Sequence, residues 1–150
     1  MKRFIALLVF FLLFSPKVWA QCSSDVPSHS STAYEASHVI KNGSGILCNL
    51  TANFHTAALR TILLIDASTV PSDGAILSCD SVPVGTACVR WCFEGLAQSS
   101  DPTENTQPIS WGAAGLKFNA GIIVAASTST SGCTTLTSDG NNDWFNWQAR

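Results

Sequence analysis

Six cysteines, Cys22, Cys48, Cys79, Cys88, Cys92 and Cys133, all follow an apolar N-terminal run, and this arrangement constrains the fold most strongly. Lys2 and Arg3 precede an unbroken apolar stretch from Phe4 to Phe14. Ser15 and Pro16 interrupt it, and Val18-Trp19-Ala20 supplies a cleavage site. As a helix the run would rise about 16 Å, against a hydrocarbon core of roughly 30 Å, so it is too short to span a membrane. Residues 1–20 are therefore expected to be a secretory signal peptide, with the mature chain starting at Gln21 and making no stable membrane insertion after cleavage. A glutamine rather than a small residue before Cys22 argues against a lipid anchor. An even cysteine count in an exported chain points to disulfides. Metal ligation and a nucleophilic thiol are the rival uses, but there is no C-x-x-C, and Val89-Arg90-Trp91 separates the closest pair, Cys88 and Cys92. All six cysteines are expected to be oxidised, with the connectivity left open.

Lys2, Arg3 and Lys17 leave with the leader, so the formal net charge of −2 becomes more negative. The remaining cations, Lys41, Arg60, Arg90, Lys117 and Arg150, are scattered along the chain. No basic patch is left to neutralise phosphates, which excludes nucleic acid as a partner class. Only 12% of the residues are charged, a composition suited to a compact β domain rather than a charged helical bundle.

Residues 21–34 are polar and Ser-rich, an N-terminal arm that Cys22 could tie down. From residue 35 to 150, turn residues recur every eight to twelve positions, the rhythm of a sandwich or barrel. Strands are expected at 36–41, 46–54, 61–67, 75–82, 86–94, 116–118, 121–126, 134–137 and 144–148. The Ile- and Leu-rich run at 61–67 reads as a strand in the middle of the core. Residues 95–110 read as a long polar loop. Cys88 and Cys92, four apart on one strand, are expected to face the same side. The fold class is all-β, a two-sheet β-sandwich of about eight strands.

Motifs that would carry chemistry are weak. His29, His38 and His55 form no H-x-H or H-E-x-x-H pair; His29 reads as solvated on the arm, the others as strand-end residues. Ser44 sits in Asn-Gly-Ser-Gly, not in a G-x-S-x-G elbow. Asp66, Asp73, Asp80 and Glu94 offer carboxylates, but nothing separates an acid from a base. Asp73 reads as a turn residue and Asp66 as a cap for the loop after its strand. Asp139, Asn141 and Asp143 have the alternate spacing of a calcium loop, yet Trp144 stands where glycine is required and Arg150 where the bidentate acid belongs. A hairpin turn on Asp139-Gly140 explains the same residues. No catalytic residue, metal site or cofactor is expected. Two sequons, Asn42-Gly43-Ser44 and Asn49-Leu50-Thr51, matter only in a eukaryotic secretory route.

Trp144 and Trp147 are three apart, so on a strand they point to opposite faces. One of them is expected to be exposed and to contact a partner or a sugar ring.

Two stretches carry a resemblance. Leu63-Leu64-Ile65-Asp66-Ala67 leads into Pro71-Ser72-Asp73-Gly74, and Phe118-Asn119-Ala120-Gly121-Ile122 precedes the Ser/Thr turn at 127–132. This order resembles small β-sandwich structural proteins of tailed bacteriophages. The resemblance implies a non-enzymatic, virion- or tail-associated structural role and supplies no site residues. The expected location is periplasmic, extracellular or on a virion surface, with a protein or cell-surface partner; a homo-oligomer is compatible with this. The alternative is a secreted carbohydrate-binding module using the Trp144 region and the 95–110 loop.

Overall fold

In a computed structural model, described over residues 22–54, 59–95, 105–129, 132–138 and 143–150, the apolar runs become strands buried on both faces. The expected leader at 1–20, His55 and the expected turn at 139–142 lie outside the described residues. The strands in chain order are β1 (Ser28–Ser30), β2 (Ser37–Asn42), β3 (Gly45–Phe54), β4 (Arg60–Asp66), β5 (Gly74–Ala75) and β6 (Cys88–Gly95). They continue as β7 (Asn105–Ser110), β8 (Leu116–Phe118), β9 (Gly121–Ser127), β10 (Thr135–Leu136) and β11 (Asp143–Ala149). The expectation of about eight strands is exceeded because β1 and β7 form in the polar arm and in the 95–110 segment, where no strand was expected. Among the described residues no helix is long and apolar enough to cross a membrane.

Every ladder pairing is antiparallel. Sheet A runs β1-β11-β3-β7, with β8 also on β3; sheet B runs β2-β9-β4-β6; β5 and β10 form a small separate ladder. The main core lies between the sheets. Leu50, Ala52, Phe54, Phe145 and Trp147 from sheet A meet Ile62, Leu64, Ile122, Val124 and Ala126 from sheet B. On the other side of sheet B, Leu63, Ile65, Val89, Ile123 and Ala125 pack under Ile76 and Leu136 from the connecting segments. Burial on both faces is why β4 and β9 carry near-continuous apolar runs, while β3 and β11 alternate.

Three disulfides staple this arrangement: Cys22–Cys48, Cys79–Cys88 and Cys92–Cys133. The first fixes the start of the polar arm to β3, and β1 then adds to the edge of sheet A. The other two hold the cover of the second core onto β6.

Several expectations are corrected. The 95–110 segment is not all loop, because residues 105–110 form β7 on β3. Pro108 is tolerated there since β7 is an edge strand. The expected strand at 75–82 shrinks to the two residues of β5, followed by a 3₁₀ turn at Cys79–Ser81. Cys88 and Cys92 do not share a face. The register slips at Leu64/Ile65, leaving Arg90 unmatched opposite β4, so Cys88 pairs with Asp66 while Cys92 pairs with Leu63. A bulge of this kind reverses the alternation. Finally, β10 and β11 are not hairpin partners: β10 pairs with β5 and β11 with β3.

Candidate functional site

Covering one face of sheet B leaves the outer face of sheet A as the open face of the sandwich. Its composition follows from strand alternation. On β11 the inward residues Asp143, Phe145 and Trp147 are buried, and the outward ones are Trp144, Asn146 and Gln148. Directly opposite on β3 stand Asn53, Thr51 and Asn49. Beyond them on β7 come Thr106, Pro108 and Ser110, and on the other edge β1 adds Ser28 and Ser30. No position of this grid carries a charge; Lys117, exposed on β8 opposite Ile46, lies beyond its Asn49 end. The grid consists of amides, hydroxyls, one proline and one indole.

The side chains are tied to one another. Asn49 donates from Nδ2 to Gln148 Oε1, and Gln148 Nε2 donates to Ser28 Oγ at 2.9 Å and to the Val26 carbonyl at 3.0 Å. Thr106 donates to Asn53 Oδ1 at 2.7 Å. The indole N–H of Trp144 donates to Ser30 Oγ at 2.7 Å, and Tyr34 meets the ring edge-on at a centroid distance of 5.8 Å. Two shallow depressions mark the ends of the face. One, of about 360 Å³, is lined by Tyr34, Asn53, Trp144 and Asn146. The other, of about 340 Å³, includes Asn49, Ser110 and Gln148 beside the Cys22–Cys48 bridge. Trp144 and Trp147 thus occupy opposite faces: the first half-exposed in a depression, the second 7% exposed in the core against His38 at 4.4 Å.

Two of the carboxylate candidates, Asp66 and Asp73, tie distant backbone segments together. Asp66 is buried, and its carboxylate accepts from the backbone N–H groups of Asn119, Ala120 and Gly121 and from Arg90 Nη2 at 3.3 Å. It caps the β8–β9 turn, not the loop after its own strand. Burial opposes its charge, but the three N–H groups and Arg90 outweigh that and hold it below the usual carboxylate range. Gly121 completes the lock, since a Cβ there would collide with the Ala67 carbonyl. Asp66, Cys79 and Cys88 lie within 4.8 Å of one another, but the disulfide removes the thiolates a metal would need. Asp73 accepts from the N–H and hydroxyl of Ser138, which lowers its pKa and ties β5 to the end of β10. His29 is exposed at the edge of sheet A, and His38 pairs with Glu35 at 2.8 Å.

Beneath the face, Asp143 is fully buried with neither carboxylate oxygen hydrogen-bonded among the described residues. Burial pushes its pKa up to about 6, with the charge of Arg60 on sheet B pulling the other way. A folded-state pKa above the unfolded value means that the native state holds the proton more tightly. Stability is therefore greatest below about pH 4 for this group and falls as pH rises through 6, by about 3 kcal/mol. Urea unfolding at pH 4.5 and 7 should show this decline, and Asp143→Asn should remove most of it. An unchanged slope in the variant would place the effect elsewhere.

These features define a class: a disulfide-stapled antiparallel β-sandwich with one sheet covered and the other presenting a polar face that is uncharged across β1, β11, β3 and β7. No protein-family model matches the chain, and neither do the curated proteins or the solved structures.

Proposed function

We propose that this chain is an exported, non-enzymatic binding domain that meets a cell-surface or protein partner through the outer face of sheet A. The observation that carries this reading is the contrast between the two sheets: one is sealed under a second core, while the other leaves Trp144 half-exposed on a neutral, ordered surface. Exposed aromatic residues on an ordered surface are common binding anchors. The leader at 1–20 and three disulfides, which suit an oxidising compartment, support export. The resemblance to tailed-phage structural proteins supports a virion-associated or surface-associated role. Six cysteines and a leader suit a product that leaves the cytoplasm rather than one packaged inside it.

A binding role also fits the chemistry of the face. Amides, hydroxyls and an indole neither gain nor lose protons near neutrality. Asp66, a buried carboxylate with a lowered pKa, is committed to three backbone N–H groups.

Trp144→Ala tests the reading. The oxidised mature protein should sediment with envelope fragments of the organism that exports it, and the variant should bind at least tenfold more weakly. Its melting temperature should fall by only a few degrees, because the indole is half-exposed and makes one short hydrogen bond to Ser30. Undiminished binding by a folded Trp144→Ala protein would remove this face from the contact.

A further inference from the structure

The chemistry of the face also restricts what it can hold, on the premise that sheet A is the contact surface. The track formed by β1, β11, β3 and β7 has no Lys or Arg at its outward positions, so phosphate, sulfate and carboxylate ligands find no countercharge along it; Lys117, exposed on β8 opposite Ile46, lies beyond its Asn49 end. Absence of Asp and Glu does the same for cationic ligands. Protein partners usually bury a core of aromatic, Met and Arg side chains, and here only Trp144 and Tyr34 could serve. What remains is a ligand that is neutral, rich in both donors and acceptors, and able to lay a flat apolar patch on an indole.

The arrangement favours an extended ligand. From Trp144 to Gln148 the track runs along β11 for about 13 Å, with a depression at each end. Neighbouring strands repeat the same groups sideways about every 4.8 Å. Each amide that is already engaged keeps further capacity, since an Asn or Gln side chain offers two donors and two lone pairs. The bonds from Asn49 to Gln148 and from Thr106 to Asn53 hold those amides in place before anything binds, which lowers the ordering cost of association.

We propose that the outer face of sheet A is a binding track for a neutral glycan chain, with Trp144 stacking under one sugar and the Asn49–Gln148 pair binding hydroxyls at the far end. The weight of polar contacts makes binding insensitive to salt, because no ion pair is there to be screened.

The test uses the full oxidised protein and envelope fragments treated in parallel with periodate, which cleaves the vicinal diols of sugars, or with protease. The expected result is that periodate abolishes binding, protease leaves it intact, and raising salt from low to molar levels changes it less than twofold. Asn146→Asp keeps the shape of the track but adds a negative charge, and should bind at least fivefold more weakly without loss of fold. Binding that survives periodate and is lost to protease overturns the glycan, while a defect in Trp144→Ala in the same assay would leave the face as a protein-contact surface. Wild-type binding by both Trp144→Ala and Asn146→Asp would overturn the face and the glycan together. Binding that collapses in high salt would also contradict a neutral ligand.

Discussion

Reduction of the three disulfides should unfold the domain at room temperature. The bridged cysteines are 26, 9 and 41 residues apart, and loop-closure entropy assigns roughly 3–4 kcal/mol to each bridge. Together they contribute about 10 kcal/mol, comparable to the whole stability of an ordinary domain. Their placement adds to this. Cys92–Cys133 and Cys79–Cys88 hold the segments that cover the outer face of β4, β6 and β9, so without them Ile65, Ile123 and Val89 would open to water. Denaturant titration with and without reductant measures the difference, and thiol titration of the unfolded, unreduced protein should find almost no free thiol. A reduced protein with an unchanged midpoint would show that the cores alone hold the fold.

Asp66→Ala should cost about 3–5 kcal/mol, because it leaves three backbone donors and the Arg90 guanidinium without their acceptor in a buried site. Asp66→Asn keeps the shape but loses the charge, and should lose about half as much. The sign of the pH dependence follows from the lowered pKa: the contribution is present above the ordinary carboxylate range and is lost as pH falls through the folded value. This acid-side loss is opposite in direction to the effect of Asp143, so the domain should be most stable in mildly acidic solution. Equilibrium unfolding of the two Asp66 variants checks the lock. A loss below 1 kcal/mol in Asp66→Ala would mean that the β8–β9 turn holds itself.

Local patterns were legible in the sequence and non-local ones were not. The apolar run at 61–67 identified a strand in the middle of the core, because burial on both faces removes alternation; 121–126 was legible as a strand but not as a second doubly buried one. Asp143 to Gln148 alternates openly, which separated Trp144 from Trp147. β7 was invisible because Asn-Thr-Gln-Pro-Ile-Ser offers only Ile109 as an apolar strand former, and its pairing depends on β3. The opposite placement of Cys88 and Cys92 depends on the register slip at Arg90, which no spacing rule signals. Asp66 was visible as a strand-end acid, but its partners lie more than fifty residues away. The open face was the least legible. Asn49, Asn53, Asn146 and Gln148 each read singly as the solvent side of a strand, and only the order β1-β11-β3-β7 collects them into one uncharged surface. The residues on this face that sequence reasoning missed are therefore the amides around Trp144.

The most direct test of sheet A as the contact surface is envelope binding measured side by side for Trp144→Ala and Val84→Ser. Val84 is 86% exposed on the connection between β5 and β6, away from the outward positions of sheet A, so both variants change an accessible apolar side chain. Loss of binding in Trp144→Ala with full binding in Val84→Ser is the predicted result. Full binding in Trp144→Ala with loss in Val84→Ser would place the contact on the cover of sheet B and contradict the account.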